Sequence, residues 1–394
     1  MTVAAPNSYQ PLKNATIPSR TVAHVAAEYA EEAEHARTLH PAVAEATRLS
    51  GFARHFTPVR WGGSGGSFTE ALEAVATVGE GCAAAGWWAS LQAKHARLAA
   101  LLPTEAQRDL WADGPDVSIA AAVGESGGRA VATPEGWSLT GRWRYASGID
   151  HAHWVLLAAE SEESGGPRPS VFLVPRADVR IESQWSGAGL RGSGTHAIAV
   201  SGARVPRHRA VGREVMIAGA GNGCGDPCHR VPVALVASLL FAAPCLGAAR
   251  SALRAWVAQA GGGAAVARSG ARGCEALARS AAEIDAAGLL LARAAARADA
   301  QECDRLAVAT NQRDCAVAVD ILVGAVERLY RASGVAGQRE GGLLERAWRD
   351  VHAIAAHAML RLDAASAAYA EAVGAETIGV ETVGVEAVGV ETVG

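Results

Sequence analysis

The chain has 394 residues, 50% of them hydrophobic, with a formal net charge of −4 and a pI near 6.3. That length holds two or three domains, or one composite unit with a sizeable core, and the mildly acidic balance argues against a nucleic-acid partner, which calls for a basic face. No apolar run reaches the roughly 18 residues of a membrane span, and the first residues lack the basic-then-apolar layout of a secretory signal, so the expected compartment is the cytoplasm.

The residues up to about 116 read as helix after a flexible start. Positions 22–50 carry apolar residues at helical spacing among many Ala and Glu, with Gly51 as the stop. Pro58 and the glycines at 62–66 make 51–66 a loop, and helical texture resumes over 68–102 and after Pro103. From 117 to about 215 the pattern changes to short alternating runs, with the Pro-Glu-Gly at 134–136 as a hairpin turn. That predicts an antiparallel sheet or small barrel. From 230 to 373 long Ala/Leu/Arg-rich helices joined by short loops predict an antiparallel bundle. The last stretch, 374–394, places Gly at every fifth position, a period no helix shares, and reads as a solvated tail. The expected units are 1–20, 21–116, 117–215, 230–373 and 374–394.

Seven cysteines, an odd number without a framework, suit a reducing compartment. Cys224, Cys228 and His229 cluster in GNGCGDPCHR, but a zinc site needs a fourth ligand, so this reads as a Gly/Pro loop and no metal is expected. Lys13 and Lys94 are the only lysines. No GxGxxG follows a strand and no Walker lysine is present, so a nucleotide-binding Rossmann domain is not expected.

Three stretches resemble the acyl-CoA dehydrogenase superfamily. GFARHFTPVRWGG at 51–63 is similar to its Gly-hydrophobic run ending Pro-x-x-x-Gly-Gly. GWSLTGRWRYASGIDHAHWVLLAA at 136–159 resembles its β-domain segment. GLRGSGTHAIAVSGARVP at 189–206 is similar to its Gly-x-Arg-Gly-Ser strand. The resemblance spans about 22–372 and implies an α+β, mostly α fold: N-terminal helical domain, middle antiparallel β-domain, C-terminal four-helix bundle. It implies assembly as a homotetramer.

Two branches of that superfamily are separated by three positions. The dehydrogenase signature Thr-Glu-Pro-x-x-Gly-Ser-Asp is replaced by AAAVGESGG at 120–128. Where many dehydrogenases carry a catalytic Glu, nine residues after the Arg of an Arg-Asp pair, Arg349-Asp350 is followed by Ala358. His357, just before it, resembles the pattern of the group D two-component flavin-dependent monooxygenases. That resemblance implies reduced flavin (FADH2 or FMNH2) from a separate reductase, O2, and hydroxylation of a small phenolic or indole-type aromatic through a flavin hydroperoxide, in catabolism or secondary metabolism. An acyl-CoA dehydrogenase, an N-oxygenase of an amine or amino sugar, and a scaffold without chemistry are the alternatives.

Residue by residue, the resemblance gives Ser147 the hydroxyl that meets the flavin N5; the other reading is a turn serine. His357 is implied at the oxygen-reacting centre, on a helix where Asp350 shares its face and Arg346–Asp350 and Glu345–Arg349 are paired. His95 is implied to meet the substrate; otherwise it is a plain helix residue. Trp143 and Tyr145 alternate with Ser147 along a strand, sharing its face as flavin-cavity residues, while Trp87 and Trp88 read as core or cavity wall. Arg191 and Ser193 are flavin or phosphate contacts or hairpin residues. Ser333 and Gly334, in ASGVAGQ at 332–338, resemble a Gly-rich loop that approaches a flavin, sometimes a neighbouring subunit's.

Overall fold

The computed structural model describes residues 17–163, 166–219, 225–268 and 270–386. Residues 1–16 of the expected flexible start, Lys13 among them, Cys224, and positions 387–394 of the repeat lie outside the described residues.

The N-terminal helices are α1 (Ser19–Glu28), α2 (Ala30–Ala36), α3 (Pro41–Leu49), α4 (Phe52–His55), α5 (Phe68–Gly81), α6 (Ala83–Ala99) and α7 (Thr104–Trp111). The 22–50 stretch is therefore three helices: Arg37 turns left-handed at φ 59, and Pro41 starts α3 behind a His40 cap. Gly51, at φ 78, ends α3 as its sequence suggests. The 51–66 segment is not all loop. It contains α4 and a 3-10 turn, Val59–Trp61, because Phe52 and Phe56, four apart, are both fully buried and anchor one turn against α6.

The strands are β1 (Ile119–Ala122), β2 (Gly128–Thr133), β3 (Gly136–Ala146), β4 (Trp154–Glu163), β5 (Gly166–Pro175), β6 (Arg180–Ser183), β7 (His196–Pro206) and β8 (Ala210–Gly212). They form one sheet in the order β6-β7-β3-β2-β4-β5-β8, with β1 beside β4. The 134–136 hairpin forms as predicted, pairing Thr133 with Gly136. The sheet is mainly antiparallel, but β4 takes both β1 and β2 in parallel, because 147–153 carries the chain past β2 instead of back along β3. Trp137, Leu139, Trp143, Val155, Leu157, Phe172 and Ile198 fill the inner face.

The C-terminal region continues with α8 (Arg213–Ala218), α9 (Val233–Gln259), α10 (Gly263–Arg268), α11 (Ala271–Asp299), α12 (Arg305–Ala332), α13 (Leu343–Ala355) and α14 (Leu362–Glu386). Helix α9 is central: α5 and α6 pack on it, as do α11, α12 and α13. Being surrounded, it is apolar all round. Its 18-residue window of mean hydropathy 1.8 is long and apolar enough to cross a membrane by composition, contrary to the sequence expectation, and 83% of that window is buried inside the protein. The tail also departs from expectation, since α14 runs on to Glu386. Each Gly costs about 1 kcal/mol in a helix, but the costly nucleus is already provided where Ala365 and Ala372 are buried and α14 packs on α12, and propagation from there is cheap.

Candidate active site

Helix α6 is buried along almost its whole length between the sheet and α9, so its side chains face both. Trp87 donates from Nε1 to Ser147 Oγ at 3.2 Å. Ser147, 6% exposed, also shares a 2.7 Å hydrogen bond with Thr195 Oγ1, which shares another of 2.7 Å with Ser193 Oγ. On the opposite side Trp87 stacks on Phe241 of α9, ring centroids 5.1 Å apart. The His357 ring lies 3.8 Å from Phe241 and 5.6 Å from Trp87. Lys94, two turns along α6 from Trp87, sets its Nζ over the Phe241 ring, 3.4 Å from the centroid. One residue on, His95 Nδ1 donates to the Ile119 carbonyl of β1 at 2.7 Å; a carbonyl only accepts, so Nε2 is the bare nitrogen. The cluster thus draws on the end of β3, the turn before β7, α6, α9 and the turn after α13.

Local geometry holds this arrangement. Gly148 has φ 70, and a Cβ there would fall inside the Trp88 ring, so only glycine lets the Ser147 turn close on α6. Asp150 accepts from Thr38 Oγ1 at 2.7 Å and from His196 Nε2 at 3.0 Å, tying the same turn to the α2–α3 connection and to β7. His357 Nδ1 accepts the Met359 backbone N–H at 3.2 Å, which leaves the ring proton on Nε2.

The charges of the cluster are all weakened. Burial, helped by Lys94, lowers His357 to about 4. Burial and then Lys94 lower His95 to about 3, against the Ile119 bond. Burial lowers Lys94 to about 7. Lys94 keeps part of its surface open. Near neutrality both histidines are neutral, one with a free acceptor and the other with a free donor. Beside them, Trp88 Nε1 and both amide atoms of Gln92 are buried without partners among the described residues. Buried polar groups left unmatched are costly. A heterocycle with carbonyl oxygens and ring nitrogens offers the missing partners, so these residues fit a flavin or an aromatic ligand.

The acyl-CoA dehydrogenase C-terminal domain family matches residues 239–362. The FADH2-dependent resorcinol hydroxylase, oxygenase component, of Rhizobium sp. is 30% identical over 359 residues, 85% of this chain and 88% of that protein. The chain belongs to the two-component flavin-dependent monooxygenases of the acyl-CoA dehydrogenase superfamily. The flavin-dependent monooxygenase oxygenase subunit HsaA of Rhodococcus jostii is 29% identical over 346 residues, 84% of this monooxygenase and 90% of that subunit. The structure of XiaF from Streptomyces sp. in complex with FADH2 and glycerol superposes with a TM-score of 0.83 at 26% identity, covering 90% of this monooxygenase and 93% of XiaF.

Of the residues singled out in the sequence, the monooxygenase brings Ser147, Ser193 and His357 into one neighbourhood, and places His95 next to Lys94 on α6, bonded to β1. It does not bring Trp143 there. Trp143 is buried in the sheet core and donates from Nε1 to the Ala158 carbonyl at 2.7 Å. The expected alternation fails because the β3–β7 register shifts between Trp143 and Ala146 and Tyr145 adopts φ 64. Tyr145 is 63% exposed and meets Trp185 edge-on. Arg191 donates to the Ala188 carbonyl in the turn before β7. Ser333 donates to the Tyr330 carbonyl and Gly334 takes φ 61, both at the open end of α12.

The expected helix through His357 stops at Ala355; His357 instead caps a 3-10 turn, Ala358–Leu360, so it does not share a helical face with Asp350. Glu345–Arg349 pairs as predicted, but Arg346 meets Glu34 and not Asp350. Asp350, raised to about 6 by burial, accepts the Leu190 N–H at 2.6 Å. Arg349 binds both oxygens of Glu34 at 2.9 and 3.0 Å, both of Glu345, and the Ala188 carbonyl at 2.8 Å. Arg349-Asp350 is therefore a seam between α2, the 188–190 loop and α13. Cys228 and His229 are buried, with His229 Nε2 donating to the Phe56 carbonyl, and no group of three metal-ligating side chains occurs among the described residues. A charged cleft of about 590 Å³ between α1, α5 and α9, lined by Arg20, Glu73, Glu80 and Arg250, shares no residue with the cluster.

Sequence reasoning missed Lys94, Gln92, Phe241 and Thr195. Only Lys94 carried a signal: it is one of two lysines in the chain, set in an Ala- and Trp-rich helix.

Proposed function

We propose that this monooxygenase hydroxylates a small aromatic molecule, a phenol or an indole-type ring, using O2 and FADH2 or FMNH2 delivered by diffusion from a separate reductase. The observation that carries this reading is the junction of the Ser147 hydroxyl with His357 through the Trp87 and Phe241 rings. The resorcinol hydroxylase and XiaF supply the chemical precedent by name. Bound reduced flavin would supply the activation of O2. Ser147, a donor and acceptor held by Trp87 and Thr195, would bind a flavin ring nitrogen. His357 would present its Nε2 proton near the reacting oxygen, and His95 Nε2 would accept from the substrate. Trp87 and Phe241 exclude water from this space. Ala358, where a dehydrogenase base would stand, has no group that takes a proton. Tyr145 and Arg191 would meet the rest of the flavin. Ser333 and Gly334 would serve a neighbouring subunit's flavin in a homotetramer, and the setting would be secondary metabolism in the cytoplasm.

The test is oxygen transfer. Anaerobically reduced FMN or FAD is mixed with the protein, a panel of phenols and indoles, and isotopically labelled O2. The expected product carries one labelled oxygen on the ring. Hydrogen peroxide alone across the panel, with co-purified flavin bleached by an acyl-CoA, would overturn the reading. Ser147→Ala is expected to weaken flavin binding about tenfold, the size of one buried hydrogen bond near 1–1.5 kcal/mol. Fluorescence titration of FMN and FAD against wild type and variant measures it.

A further inference from the structure

We propose that Lys94 is the group that receives the acidic proton of a phenolic substrate and then holds the phenolate. The inference rests on the hydroxylase reading above. Lys94 Nζ lies against Phe241, the same ring that packs on His357 and Trp87, so it belongs to the space beside Ser147. No carboxylate pairs with it among the described residues, and the titratable groups acting on it are His95 of α6 and His357 after α13, both neutral near pH 7. A buried amine without an acidic partner favours an anionic ligand. Burial alone brings its own pKa to about 7, where a base serves best near neutrality. His95, at about 3, is too weak a base for a phenol. In the step, the phenol O–H bond breaks and an N–H bond forms on the neutral amine. The electron pair stays on oxygen, giving a phenolate beside an ammonium. The phenolate ring is the more electron-rich partner for oxygen transfer, and the ammonium over Phe241 keeps the ion pair in place.

The experiment uses chromophoric nitrophenols of several ring sizes, titrated into the full-length protein at a pH about one unit below each phenol's own pKa, with the absorbance spectrum recorded. Wild type is expected to raise the phenolate-to-phenol ratio of the bound probe by about 10–100-fold. Lys94→Met, which keeps the aliphatic stem, is expected to bind the probe as neutral phenol. Lys94→Arg, always protonated, is expected to favour phenolate by its charge, with the probe's proton released to the buffer because the side chain cannot take it. Wild-type protein that leaves every probe un-ionised, or binds none, overturns the proposal without recourse to a variant, as does Lys94→Met that keeps the phenolate band. Ionised probe with no labelled oxygen on any ring would uphold Lys94 and sink the hydroxylase reading. Ring oxygenation without probe ionisation would do the reverse.

Discussion

His357→Ala is expected to lower ring hydroxylation by about 10²–10³-fold, the range of a positioned proton donor, while reduced flavin is still oxidised by O2. The imidazole is neutral throughout the working range because burial and Lys94 lower it to about 4. Its proton is fixed on Nε2 because Nδ1 accepts from Met359 N–H. The variant removes that one directed donor and opens a gap against Phe241 and Trp87, so oxygen activated there is lost to water as hydrogen peroxide. The ratio of labelled product to flavin oxidised measures the loss, and a thermal denaturation curve like the wild type's shows that the fold is kept. An unchanged ratio would remove His357 from the chemistry.

Arg349→Ala should cost about 3–5 kcal/mol of stability, because removing one partner of a buried ion pair leaves the others uncompensated. Arg349 is 8% exposed, and its guanidinium satisfies Glu34, Glu345 and the Ala188 carbonyl at once. Deleting it strands two carboxylates that are only 12% and 15% exposed. Gly189 adds to the sensitivity, since its Cα lies so close to the Arg349 carbonyl that a Cβ has no room. The measurement is the urea midpoint for wild type and variant. An unchanged midpoint would mean that the seam contributes little. Arg349→Lys should restore only part of the loss, since a lysine replaces the bidentate fork with a point charge.

The order of helices, sheet and bundle was legible because period-two runs in 117–215 contrast sharply with the 3.6-residue period on either side. Gly51 and the hairpin at 134–136 were legible because glycine and proline impose backbone angles locally. Of the site, Ser147 and His357 were found through the resemblance and not from spacing. What stayed hidden depends on tertiary contact. Tyr145 adopts φ 64 without being glycine, which no local pattern announces, and that single angle undoes the shared face with Trp143. Helix α13 stops at Ala355 without Gly or Pro, where the His357 ring caps the next turn. Phe241 is one apolar residue among many in α9, and only packing singles it out.

The Arg349 seam also sets a timetable for the growing chain. Its parts are Glu34, the 188–190 loop and positions 345–350, so it joins segments that leave the ribosome far apart in time. The early helices can form and collapse, but Glu34 meets its cations only once Arg346 and Arg349 have been made, and Asp350 is needed to fix Leu190. Contacts of such long sequence separation form late and slowly. His357 follows a few residues behind. Synthesis therefore delivers this closure and the last member of the cluster almost together, and a nascent chain stalled before residue 345 would hold α6 and the Ser147 turn without the clasp that ties α2 and the 188–190 loop to α13.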